Sequence, residues 1–92
     1  MTPITTIKKK DRLYYARIIP KTGIYEVCEI TLRTIKDTWF VGIDKRDKHA
    51  YMFNYSDLNT ILFAERKDAL EKVKTAEKNK IKISEETDYE EY

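Results

Sequence analysis

The chain has 92 residues, 41% apolar and 37% charged, with only two Gly and two Pro. This composition predicts one globular domain and excludes a fibrous or apolar-poor disordered chain. A core this small encloses little volume, which argues against a deep active site. No run approaches the roughly 20 consecutive apolar residues of a membrane span, and no apolar stretch follows the N-terminal MTPITTIKKK as it would in a signal peptide.

Net charge is +2, but residues 1–83 hold 18 Lys and Arg against 11 Asp and Glu, whereas residues 84–92 hold five acids and no base. The expected organisation is a basic N-terminal arm at 1–11, a single domain at 12–83 and an acidic, disordered tail at 84–92. A segment so acidic cannot bury enough apolar surface to offset its ordering entropy. The lone Cys28 forms no internal disulfide and fits a reducing, cytoplasmic compartment. Abundant Lys, Ile, Glu and Tyr with few Gly, Pro and Ala is the bias of an AT-rich genome, which suggests a low-GC bacterium or its phage.

In chain order, residues 12–20, RLYYARIIP, are β-branched and aromatic with apolar side chains on both faces, the pattern of a first strand. Pro20-Lys21-Thr22-Gly23 then presets φ at its first residue and permits positive φ at its last, so a tight turn is expected. A second strand is expected over 24–35. Its apolar positions change phase, with Tyr25 and Val27 odd but Cys28, Ile30 and Leu32 even, which predicts a β-bulge near Val27 and Cys28.

Residues 38–45, TWFVGIDK, predict a third strand with Trp39, Val41 and Ile43 on the inner face and Gly42 at a kink or close approach. The charged run 44–48 reads as a solvated turn in which Asp44 and Asp47 face water. Residues 49–55 predict a fourth strand and 60–63 a short fifth. A helix should start near Glu65 or Arg66, carry Ala69, Leu70, Val73 and Ala76 as an apolar stripe, and end near Lys80.

The fold class expected is α+β: a small bent antiparallel sheet or SH3-like, partly open barrel of about five strands, followed by one amphipathic C-terminal helix. A flat sheet carrying one helix is the alternative. The expected core is Leu13, Ile19, Val27, Ile30, Leu32, Val41, Ile43, Phe53, Phe63, Leu70 and Val73, and Leu70→Ala should cost about 2–5 kcal/mol.

Catalytic patterns are missing from the sequence. Cys28 and His49 are the only cysteine and histidine, too few for a structural zinc site, and no phosphate-cradling Gly-rich loop or metalloprotease motif occurs. The expectation is a non-enzymatic protein without cofactor or metal. Seven Tyr, three Phe and one Trp exceed what so small a core requires. Tyr14, Phe40 and Tyr51, opposite the stronger core positions, together with Arg33, Lys45 and Arg46, form the expected partner-binding set, because exposed aromatics with Arg supply interface anchors. Asp88, Tyr89, Glu90 and Glu91 join that set, since an acidic aromatic tail can pair with a basic partner. The run Lys8-Lys9-Lys10-Asp11-Arg12 offers phosphate contacts.

The stretches YYARIIPKTGIYEVCE, DTWFVGIDKRDKHAYMFNY and ILFAERKDALEKVKTAEKN, spanning about residues 13–79, resemble a family of small proteins from phages and mobile elements of low-GC Gram-positive bacteria. The resemblance carries no catalytic residue. It implies an accessory protein that binds and inhibits a host protein, such as a CRISPR effector or another defence component. The alternative is a small RNA- or DNA-binding module whose basic body is autoinhibited by its acidic tail. A homodimer formed through a strand edge or the Tyr-rich face is also open.

Overall fold

The computed structural model describes the backbone of residues 3–90 and the side chains of residues 3–79. Four strands follow one another: β1 (Arg12–Ile19), β2 (Ile24–Ile35), β3 (Trp39–Asp44) and β4 (Ala50–Asn54). A 3-10 turn at Tyr55–Asp57 leads to the short β5 (Leu62–Phe63), and the helix α1 (Arg66–Glu90) ends the described chain. The turn between β1 and β2 forms as expected, a 3-10 turn at Pro20–Thr22 closed by Gly23 at φ 70°.

The sheet is antiparallel throughout, in the order β4-β3-β2-β1-β5. It is α+β as expected, a five-stranded sheet that is not closed into a barrel, since β4 and β5 form its two edges. The first four strands form a meander, and β5 returns to the far side of β1 through Tyr14↔Phe63 and Tyr15↔Leu62.

Both faces of this sheet carry apolar residues. One face holds Leu13, Cys28, Ile30, Leu32, Phe40, Phe53 and Leu62, and is covered by Ile4 and Ile7 of the N-terminal arm with Leu58 and Ile61. The other holds Ala16 and Phe63 beneath Ala69 and Val73 of α1, flanked by Tyr14, Ile18, Tyr25 and Val27. Small side chains at Ala16 and Ala69, both fully buried, let the helix lie close to the sheet.

This two-sided burial removes the register slip expected at Val27 and Cys28. The β1–β2 register is unbroken from Arg12↔Thr31 to Ile19↔Ile24, so Val27 simply faces the helix and Cys28 the arm. The irregularity lies further on, between Leu32 and Thr34 in the β2–β3 pairing, and inserts Arg33 as the extra residue.

Five of the expected core positions are not fully buried: Ile19 and Val27 are half-buried, Val27 packing against the helix-side cluster, Val41 and Ile43 lie where the helix does not cover them, and Leu70 is exposed on the helix itself. In β3 the buried residues are Phe40, Gly42 and Asp44, and Val41 and Ile43 are only half-buried. The helix lies over β1, β2 and β5 and leaves the Val41 and Ile43 side of β3 open. Gly42 does mark a close approach, but by a side chain: a Cβ there would sit 2.7 Å from Ile30 Cδ1. Leu70 is 41% exposed, because Ala69 and Val73 define the buried line of α1 and Leu70 lies about 100° round the helix from Ala69.

The helical backbone also continues to Glu90, past the end expected near Lys80. The N-terminal arm is tied into the fold. Asn59, held at φ 65°, accepts a hydrogen bond from Ile4 N (2.7 Å) and donates Nδ2 to Ile4 O (3.0 Å), and Lys10 N donates to Leu32 O while Leu32 N donates to Asp11 O. Among the described residues no helix is long and apolar enough to cross a membrane.

Chemical denaturation checks the corrected core. Phe40→Ala is expected to cost about 3–5 kcal/mol, the penalty of emptying a large core site, whereas Leu70→Ala should stay within about 0.5 kcal/mol. Gly42→Ala should lose about 1–3 kcal/mol through overpacking, and lose less when Ile30 is shortened to Val, which removes the atom that a new Cβ would strike.

Candidate functional site

The structure disperses the expected partner-binding set. Phe40 is fully buried, with Phe53 at 5.7 Å and Tyr55 at 5.4 Å between ring centroids, so it belongs to the core and is no surface anchor. Tyr14 and Tyr51 are both half-buried but lie on opposite faces, Tyr14 with the helix cluster and Tyr51 with the arm cluster. They cannot form one platform. Lys45 pairs with Glu29 at 3.4 Å, and Arg33 is exposed at the bulge. Asp88, Tyr89, Glu90 and Glu91 lie outside the residues whose side chains are described.

Two places gather chemistry. The first is a polar cluster at the β3–β4 end of the arm-covered face. Arg17 Nη1 lies 3.0 Å from Glu26 Oε1, and Arg46 Nη2 lies 3.3 Å from Glu26 Oε2, so one carboxylate is held between two guanidinium groups. Arg46 also reaches Asp44 Oδ1 through Nε at 3.7 Å and approaches Cys28 Sγ at 3.6 Å through Nη2. Asp44, expected in water, is fully buried, because it closes the β3–β4 turn by accepting Arg46 N at 2.8 Å on Oδ1. Its Oδ2 is buried without a well-formed hydrogen bond.

Charge explains the behaviour of the cluster. Hydrogen bonding to Arg17, assisted by Arg46, holds Glu26 below the usual carboxylate range despite the opposing effect of burial. Burial alone would raise Asp44, but the Arg46 backbone N–H, the neighbouring Cys28 thiol and the Arg46 charge together hold it low. Cys28 moves the other way: burial, then the negative charges of Glu26 and Asp44, push its thiol up to about 11. A nucleophilic cysteine needs a depressed pKa. Cys28 is therefore a protonated, buried thiol, and His49 is exposed with its ring 4.7 Å from Tyr51. Among the described residues no group of three or more His, Cys, Asp or Glu is placed to hold a metal ion.

The second place is the open part of the helix-side face. Thr31↔Ile43, Thr34↔Val41, Val41↔Met52 and Ile43↔Ala50 are opposed across β2, β3 and β4, so these side chains share that face beyond the reach of α1. Met52 is 69% exposed, and Trp39, Val41 and Ile43 are half-buried beside it. Where this face meets the N-terminal arm, a groove of about 330 Å³ is lined by Lys9, Lys10, Thr31, Leu32, Arg33 and Ile43. A second groove, of about 450 Å³ between β5 and α1, mixes Asp68 and Glu71 with Lys72 and Thr75 and shows no single charge preference.

No family model matches the chain, and no curated protein or solved structure does either. Function is therefore read from these surfaces. Sequence reasoning passed over Val41, Ile43 and Met52 as binding residues. The available signal was Met52, an apolar side chain alternating with Tyr51 and Phe53 in a strand that needed only one apolar face.

Two measurements test the polar cluster. Cys28 should react with a thiol reagent at pH 8 only slowly in the native protein and rapidly once unfolded. Because Glu26 and Asp44 have folded pKa values below their unfolded ones, their stabilisation is complete above the unfolded values, about 4, and is lost as pH falls through the folded values. Denaturation midpoints from pH 7 to pH 2 should therefore hold steady to about pH 5 and then drop. Arg46→Leu should lower the midpoint at pH 7 and flatten the acid drop, so that the two curves converge at low pH.

Proposed function

We propose that the protein is a non-enzymatic binding protein that docks a protein partner on the open β3–β4 part of its helix-side face. This is the surface a phage or mobile-element inhibitor would use against a host protein. The observation that carries the reading is the uncovered aliphatic row Val41, Ile43 and Met52 beside Trp39, next to strands that the helix does cover. Contiguous exposed apolar side chains bordered by charge are characteristic of interaction surfaces, and Trp, Met and Arg are enriched in their centres. A nucleic-acid module would instead favour exposed rings for base stacking, whereas the exposed member here is Met52 and the Trp39 ring beside it is half-buried.

Affinity capture from a low-GC Gram-positive host lysate, with nuclease present, tests the reading. A protein partner should survive nuclease and bind Met52→Asp at least about tenfold more weakly, the loss expected when a central contact worth about 1.4 kcal/mol or more is removed. The variant's melting temperature should remain near wild type, since Met52 is mostly exposed. Loss of all partners with nuclease, or full capture by Met52→Asp, would refute the proposal.

A further inference from the structure

The groove at the margin of this face has a chemistry of its own. Two backbone irregularities meet there: the β2 bulge that presents Arg33, and the arm turn that presents Lys9 and Lys10. The turn is fixed by Lys8 N donating to Asp11 Oδ2 (3.0 Å), Asp11 N donating to Lys8 O (3.2 Å), and Lys10 in the left-handed region at φ 75°. It is joined to the strand beside the bulge by Lys10 N to Leu32 O (2.8 Å) and Leu32 N to Asp11 O (2.9 Å). Three cationic side chains thus project from backbone that is already ordered, which lowers the entropic cost of binding.

None of the three cations is spent within the described fold. Arg17, Lys45, Arg46 and Lys67 each make an ion pair, whereas Lys9, Lys10 and Arg33 make none with a described residue. Glu29, two residues from Thr31 on the same face, is already engaged by Lys45. Between the cations the groove reaches the half-buried Ile43, and the backbone N–H and C=O of Leu32 are both bonded to the arm. Its recognition chemistry is therefore positive charge, the Thr31 hydroxyl and the Ile43 side chain.

We propose that this groove binds an acidic peptide segment of the protein partner, with carboxylates on Lys9, Lys10 and Arg33 and one apolar side chain on Ile43. The inference rests on the reading that the partner is a protein, and it adds the chemistry of the partner's docking segment. Carboxylates fit the three exposed cations, and the aliphatic contact beside them suits a peptide side chain better than a stacked base.

The test titrates the full-length, isotope-labelled protein with the capped peptide Glu-Glu-Leu-Glu-Glu, with its lysine counterpart Lys-Lys-Leu-Lys-Lys, and with oligo-dT. The glutamate peptide should shift the amide resonances of Lys9, Lys10, Thr31, Arg33 and Ile43. Binding should weaken at least tenfold in the Lys9→Glu, Arg33→Glu double variant, weaken again when Leu is replaced by Gly, and fall as salt is raised. The lysine peptide should not bind. No shift at these residues at millimolar peptide, or tighter binding of oligo-dT at the same residues, would overturn the inference. Partner capture separates the two proposals. Should Met52→Asp abolish capture while the double variant retains it and the glutamate peptide fails to bind, the groove inference falls and the docking face stands. Should Met52→Asp be captured normally, the docking face itself falls.

Discussion

A five-stranded sheet with apolar residues on both sides has two faces to cover, and this fold has one helix to cover them with. Most other features follow from that shortage. The helix α1 is placed over β1, β2 and β5, where Ala16 and Ala69 permit close approach. The opposite face is closed by the N-terminal arm, whose Ile4 and Ile7 act as core residues although they lie in a segment with no regular secondary structure. Asn59 makes this possible. Its side chain satisfies both the N–H and the C=O of Ile4, so an unpaired backbone segment can pack on an apolar face without stranding polar groups.

Covering one face with an arm and only part of the other with a helix leaves β3 and β4 open on the helix side. That open area is where the proposed docking face lies, and the arm that closes the opposite face presents Lys9 and Lys10 at its margin. The cationic groove therefore depends on the same arm that completes the core. The proposed groove and the fold share this segment, so changes to Ile4 or Asn59 would act on both, whereas Met52 lies on the exposed surface.

The polar cluster of Arg17, Glu26, Asp44 and Arg46 shows a different use of charge. Asp44 is buried at the β3–β4 turn, and its charge is sustained by the Arg46 backbone N–H and guanidinium. Burying a carboxylate is costly unless it is paired and hydrogen-bonded. Burial, reinforced by the negative charges of Glu26 and Asp44, keeps the Cys28 thiol protonated where it packs in the arm-side core. In sequence, Asp44 opens the charged run 44–48 and gives no sign of being interior, because local charge density cannot reveal that one member points back under the sheet.

Element types, their order and the α+β class were legible in the chain, because alternating apolar residues, Pro-x-x-Gly and the helical stripe are local signals. So were Leu13, Ile30, Leu32, Phe53, Phe63 and Val73 as buried residues. What local pattern could not decide was which face of each strand would be covered. β3 alternates apolar residues on both sides, and only the position of α1 over β1 and β2 left Val41 and Ile43 open while Phe40 became core. The phase change at Val27 and Cys28 was visible, but it marks a strand covered on both faces and not a slip, a distinction that requires knowing that helix and arm lie on opposite sides. The free cations are of the same kind: the charges of Lys9, Lys10 and Arg33 are local properties, whereas their gathering at one groove depends on a bulge and an arm turn more than 20 residues apart meeting at Leu32. Periodicity records how each residue alternates with its neighbours, and burial depends on what distant segments cover.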